Sequence, residues 1–114
     1  MTGAGGPQLS DEQRFDWLRL LRSESVGPRT FHVLINRYGS ARAALAALPN
    51  IAGRGRSVRI ASEEEIAREL AEAARCGARF VAIGEPDYPP LLRRIDSAPP
   101  LIALRGEAAE QRRL

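Results

Sequence analysis

"SDEQRFDWLRLLRSESVGPRTFHVLINRYGS" (residues 10–40) places two apolar helical stripes either side of a short break. Ser10 followed by Gln13 has the spacing of a capping box, and Asp11 and Glu12 suit the positive end of a helix. Phe15, Leu18 and Leu21 recur at three-residue steps, with Trp17 and Leu20 widening the stripe. That pattern predicts an amphipathic helix with a broad buried face. Val26, Gly27 and Pro28 break it, and Pro28 can open the next helix, where its missing N–H costs nothing. The second helix sets Phe31, Leu34, Ile35 and Tyr38 on one face and ends at Gly39, a natural left-handed cap. Ser40 then caps a third, alanine-rich helix expected to run to about Leu48 and to stop at Pro49. Three short helices with tight turns make a compact helical unit.

Downstream, "IAGRGRSVRIA" (residues 51–61) has no periodicity and reads as a loop. Ser62 and Glu65 form a second capping box, and a fourth helix follows with Ile66, Leu70 and Ala73 inward, closed by Gly77. The pattern then changes. "RFVAI" (79–83) and "LIALRG" (101–106) read as short strands, and between them lie two proline-bracketed turns around one helical turn, "LLRRI". Two strands of this size cannot bury both faces unaided, and their open edges would pair between molecules.

The expected fold is therefore mainly α. A small four-helix domain of sterile-alpha-motif-like or helix-hairpin-helix-like type is followed by a two-strand extension. The boundaries are a flexible leader at 1–9, a helical domain at 10–76, the β-extension at 77–106 and a tail at 107–114.

At 114 residues, 44% hydrophobic and 27% charged, the chain has the composition of a globular domain rather than a disordered one. No apolar run approaches the roughly 20 residues of a membrane span, and "MTGAGGPQL" lacks the pattern of a secretory signal. The single Cys76 cannot form an internal disulfide, fits a reducing cytoplasm, and before a C-capping glycine reads as a buried structural thiol. All 17 basic residues are arginine and the net charge is +3. Arginine suits bidentate phosphate contacts, but a general bias toward arginine and alanine would produce the same composition.

No convergent set of catalytic groups is present, so no enzyme, metal or cofactor is expected. His32 is alone on a helix, and Glu63, Glu64 and Glu65 stand where a helix start welcomes negative charge. "GRGRS" (53–57) lacks the ending that makes a phosphate loop work. Two features carry a nucleic-acid reading. "ESVGPRTF" (24–31) has the form of a helix-hairpin-helix turn, where Gly27 would bend the chain and Arg29 and Thr30 would add donors to a phosphate. Ser25 stands where such turns usually carry a first glycine, and a bend that only packs two helices is the plain alternative. The second feature is the arginine loop, Arg54, Arg56 and Arg59, equally readable as a solvated loop. Three such contacts to a single strand give a salt slope of about −2, or roughly twentyfold weaker binding between about 50 and 200 mM salt. With Phe15, Trp17 and Phe31 committed to apolar stripes, no stacking platform is left.

Tyr88, Pro89 and Leu92 in "YPPLL" (88–92), then Pro99, Pro100 and Gly106 in "PPLIALRG" (99–106), resemble the segment before the Rossmann-like domain of the DNA processing protein A (DprA, or Smf) family. "LRLLRSESVGPRTFHVLINRYGSARAAL" (18–45) is similar to that family's N-terminal sterile-alpha-motif-like domain. The resemblance covers roughly residues 15 to 106. It implies a bacterial cytoplasmic protein of natural transformation, which binds and protects incoming single-stranded DNA and helps load the RecA recombinase. It also implies that the strands lead into a Rossmann-like domain absent from this sequence. The family's main DNA-binding loop, of "VGSR" type, has no matching positions here. On this reading the chain is the N-terminal accessory domain of a single-stranded-DNA-binding recombination mediator, with a possible protein partner for its helices. The alternative is a free-standing protein–protein adaptor.

Overall fold

A computed structural model describes residues 8–51 and 59–105. Residues 1–7 of the expected leader, the tail, Arg54, Arg56 and Gly106 lie outside the described residues, while Leu9, placed in the leader by the sequence reading, is half-buried and bonded through its N–H to Glu85. The element order is α1 (Asp11–Leu21), α2 (Pro28–Tyr38), α3 (Ala41–Ile51), α4 (Glu63–Arg75), β1 (Ala78–Ala82), α5 (Pro90–Arg93) and β2 (Leu101–Arg105).

Both capping boxes form. The Ser10 hydroxyl accepts from the Gln13 N–H while the Gln13 side chain accepts from the Ser10 N–H, and Ser62 and Glu65 repeat the exchange at α4. Each box satisfies two of the orphan amides of a helix start. Gly39 ends α2 at φ +91°, a conformation that costs other residues roughly 1–2 kcal/mol. Ser40 accepts from the Ala43 N–H at 3.1 Å to begin α3.

Two expectations are corrected. α3 does not stop at Leu48 but passes through Pro49 to Ile51. A proline in the final turn removes one ladder bond at an end that frays anyway, so it does not break the helix there. Cys76 is exposed rather than buried. It is the C-cap of α4, beyond the last residue of the helix, and its carbonyl accepts from Arg105 Nε.

The core has two clusters. The first packs Leu20, Phe31, Leu34, Ala44, Leu45 and Leu48 from α1, α2 and α3, with Trp17 edge-on to Phe31 at 4.8 Å. The second joins α1 and α4 to the sheet through Leu18, Ile66, Phe80, Ala82 and Leu101. Phe31, Leu18 and Ile66 are almost wholly removed from water, each worth about 1.5–3 kcal/mol of burial.

β1 and β2 pair antiparallel with Phe80 opposite Ala103. The Ile83 N–H donates to the Pro100 carbonyl at 2.8 Å, which makes that pair the hydrogen-bonded one. Alternation then bonds Val81 to Ile102 and Arg79 to Leu104, and turns the amides and carbonyls of the intervening residues outward. Pro100 has no N–H to return, so the ladder ends there.

The two strands differ. Phe80, Val81 and Ala82 are all buried, so β1 is covered on both faces. In β2 only Leu101 is buried; Ile102 and Leu104 are half-exposed on the face away from the helices. The expectation that two strands cannot cover both faces therefore applies to β2.

A buried ion pair fastens β1 to α1. Arg14 Nη1 donates to Glu85 Oε1 at 2.7 Å and Nη2 to Oε2 at 3.1 Å. The same carboxylate accepts from the Ala82 N–H at 2.7 Å and the Leu9 N–H at 2.9 Å. Arg14 also donates to the Phe80 and Leu9 carbonyls. Both carboxylate oxygens and both terminal guanidinium nitrogens are used, the condition under which a buried charge is tolerated.

Candidate nucleic-acid interface

The turn between α1 and α2 is built from its ends. The Arg22 N–H bonds back to the Leu18 carbonyl and closes α1. Ser23 is buried; its hydroxyl donates to the Arg19 carbonyl at 2.9 Å and accepts from the Ala61 N–H at 3.2 Å. Glu24 and Arg59 exchange bonds. The Glu24 N–H donates to the Arg59 carbonyl, and the Arg59 N–H to Glu24 Oε1, both at 2.8 Å. Ser25 then takes φ +67°. The serine adopts the left-handed backbone that the usual glycine would supply, so the bend forms despite the substitution.

Gly27 is the N-cap of α2, extended, with no side-chain bond to the helix start. Its carbonyl accepts the first ladder bond, from the Phe31 N–H at 2.8 Å. Pro28 has no N–H. The amides of Gly27, Arg29 and Thr30 make no hydrogen bond among the described residues, and a side chain built at Gly27 would meet nothing within 4 Å. Three amides at the positive end of an 11-residue helix thus face open space, the arrangement that receives a phosphate. Arg29 is exposed and bonded to Asp96 at 3.0 Å, with side chains 76% and 92% exposed. A pair so solvated is weak and can be exchanged for a phosphate.

Of the arginine loop, only Arg59 lies within the described residues. The Glu24–Arg59 exchange brings it beside the hairpin turn, which sequence spacing alone did not reveal. Its guanidinium, however, is held by Glu65 Oε2 at 2.6 Å. It sits in a groove of about 590 Å³ where Arg22, Arg59 and Arg68 face Glu65, Glu69 and Glu72. Three cations against three anions leave no net field for a polyanion. The Ser62 amide, followed by Arg59, holds the Glu65 carboxyl below its ordinary range.

The proline-bracketed motif has a structural role in what is described. Tyr88 is fully buried and its hydroxyl donates to the Pro99 carbonyl at 2.7 Å. Burial raises the phenol's pKa, against a smaller lowering by Arg93. Pro89 precedes α5, Leu92 is half-buried, and Pro100 is buried at the start of β2. The Tyr88–Pro99 bond ties the two proline-bracketed turns to each other. Sequence reasoning missed Ser23, Arg14 and Glu85. The signal available for the last was a carboxylate in "AIGEPDY" (82–88), between an apolar strand and a turn.

No helix of the described residues is long and apolar enough to cross a membrane. No curated protein matches the chain. Residues 11–72, from the first residue of α1 into α4, match the DprA-like N-terminal HHH domain. That span is over half of the sequence, and it contains the α1–turn–α2 unit with its open amides; the chain belongs to the DprA-like N-terminal HHH domain family.

Proposed function

We propose that this chain is the N-terminal accessory part of a DprA-type mediator that binds single-stranded DNA and helps load a RecA recombinase. In this role the hairpin turn adds one phosphate contact to a principal binding surface carried elsewhere. The family match supports a DprA-type role. The observation that carries the DNA contact is the uncapped start of α2, where the amides of Gly27, Arg29 and Thr30 are open beside an exposed Arg29. One or two phosphates held there give a salt slope of only about −1. Binding by this chain is correspondingly weak and detectable at low salt.

The test is fluorescence anisotropy of a labelled oligothymidylate against the chain at low ionic strength. Gly27→Asp places a carboxylate where the phosphate would sit and lets it accept the same amides. Weak binding that this substitution abolishes supports the reading. Binding that Gly27→Asp leaves unchanged overturns it.

A protein-adaptor role is favoured by a separate observation. Val33, Leu91 and Ile95 are 61%, 75% and 57% exposed, a set of large aliphatic side chains without aromatic partners for bases. Titrating purified RecA recombinase against the chain and against a Leu91→Ser/Ile95→Ser variant separates the two. Loss of RecA binding with unchanged oligonucleotide binding assigns the aliphatic set to a protein contact.

A further inference from the structure

The exposed aliphatic side chains Val33, Leu91 and Ile95 are joined by an ion pair and surrounded by arginine. Val33 is one turn along α2 from Arg29, and Ile95 is the neighbour of Asp96. The Arg29–Asp96 contact therefore draws the outer face of α2 up to the turn that follows α5. Leu91 and Ile95 are about one helical turn apart, because the Arg94 and Ile95 amides bond back to Leu91 and Leu92 and prolong α5. Arg29 and Arg37 flank Val33 along α2, and Arg93 and Arg94 lie between Leu91 and Ile95. Arg37, Arg93 and Arg94 make no ion pair among the described residues, whereas Arg14, Arg22, Arg59 and Arg79 each meet a carboxylate. Asp96 is the one carboxylate in residues 29–37 and 90–97. The aliphatic set thus stands in a rim of four arginines and a single acid.

We propose that this face docks an amphipathic helix of a partner protein, with large apolar side chains along one stripe and Asp or Glu on its rim. The proposal rests on the protein-adaptor reading above and names the chemistry of the partner. Apolar contact with Val33, Leu91 and Ile95 supplies the affinity, and the arginines select the charge of the rim. The backbone of α2 is spent on its own helical bonds, so an extended segment would find no main-chain partner along it. A helix satisfies its own backbone and needs only side chains to meet. Nucleic acid is a poorer match, because aliphatic groups give bases no stacking surface and a phosphate chain would leave Leu91 in water. An anionic bilayer matches the charge but not the shape. α2 turns its apolar stripe to the core, leaving Val33 outward, and α5 has four residues, so neither supplies the broad apolar face with which a helix enters lipid. Three aliphatic anchors make a small interface, so the complex is weak and exchanges rapidly.

Fluorescence anisotropy of three labelled synthetic helices with the full chain at low ionic strength tests this. One carries a leucine stripe and a glutamate rim, the second the same stripe with a lysine rim, and the third the glutamate rim with alanine in place of leucine. The first should bind at least about tenfold more tightly than either of the others, the effect of a few rim charge pairs in one case and of lost apolar contact in the other. In the wild-type chain its addition should shift the amide resonances of Val33, Leu91 and Ile95, a readout that needs no variant. Leu91→Ser/Ile95→Ser should weaken that binding about tenfold, and Arg93→Glu/Arg94→Glu should reverse the preference toward the lysine rim. All four positions are exposed, so both variants are expected to fold, and circular dichroism checks that. Equal binding of the two leucine helices overturns the acidic rim and leaves the adaptor reading standing. Binding of neither, or resonance shifts confined to other elements, overturns both. Co-sedimentation with phosphatidylglycerol vesicles that Leu91→Ser/Ile95→Ser abolishes assigns the face to a membrane and overturns the proposal as well.

Discussion

Replacing Glu85 by alanine should be among the most damaging single substitutions in the chain. Glu85 is 3% exposed, and its carboxylate accepts four hydrogen bonds, two from Arg14 and one each from the Leu9 and Ala82 amides. Removing one partner of a buried pair costs about 3–5 kcal/mol, because the other charge is left uncompensated. Arg14 keeps the Leu9 and Phe80 carbonyls, and a fifth of its side chain remains in contact with water, so its share falls near about 3 kcal/mol. Leu9 is half-exposed and can turn its amide to water, but Ala82 is buried, and its orphaned N–H adds about 1 kcal/mol. The sum, about 4 kcal/mol, is a large share of the roughly 5–15 kcal/mol typical of a domain, and it lowers Tm by about 15 °C. Urea and thermal unfolding followed by circular dichroism measure it, with Arg14→Ala and the double variant completing a cycle. The two losses share one interaction, so the double variant should cost at least about 1 kcal/mol less than the sum. A Glu85→Ala chain within about 1 kcal/mol of wild type, or strict additivity with Arg14→Ala, would refute the argument.

Gly27→Asp should stabilise the chain by a few tenths of a kcal/mol through a new N-cap while abolishing oligonucleotide binding, and denaturation and anisotropy together detect the opposed signs. Ser25→Gly should raise stability by about 0.5–1 kcal/mol, because glycine adopts φ +67° without the strain serine bears there; urea unfolding decides it. Stability should fall in acid. Burial pushes the Glu85 carboxyl up, but Arg14 and the Ala82 and Leu9 amides outweigh it and hold the folded pKa below its ordinary value. A depressed folded pKa gives stability that is present above the unfolded value, about 4.3, and lost as pH falls through the folded one. Tm measured between about pH 7 and 3 should drop below about pH 4.5, and Glu85→Gln should flatten that drop. Tyr88→Phe should cost about 1 kcal/mol by leaving the Pro99 carbonyl without its donor, measured in the same way.

The helices were legible because their signals are local. A capping box spans four residues, and an apolar stripe repeats within a dozen, so Ser10, Gln13, Ser62 and Glu65 announced α1 and α4 before any tertiary contact was known. The strands were legible for the same reason, shifted by one residue at β1. What escaped was set by contacts distant in sequence. Arg14 and Glu85 are two ordinary charges 71 positions apart, and nothing near either marks the other. Whether Cys76 is covered depends on where the sheet lies against α4, which the helical period cannot say. Pro49 was read as a stop because proline disfavours helix interiors, yet the final turn tolerates it. At the hairpin turn, residue type and backbone conformation parted company. Ser25 looked like a departure from the usual bend, while the chain around it, fixed by Ser23, Glu24 and Arg59, imposes the left-handed conformation regardless.

The division of the core into two clusters has a consequence for how the chain comes off the ribosome. All residues of the first cluster fall within α1, α2 and α3, so it can condense as soon as the third helix has emerged. The second cannot close until Leu101 has been synthesised, since that residue lies across from Ala82 and against α1 and α4. During the interval the inward face of α4 and the Leu18 side of α1 stand uncovered. A nascent chain stalled between Arg75 and Leu101 should therefore carry a folded three-helix nub with a sticky flank, and that flank is where a chaperone would be expected to hold it.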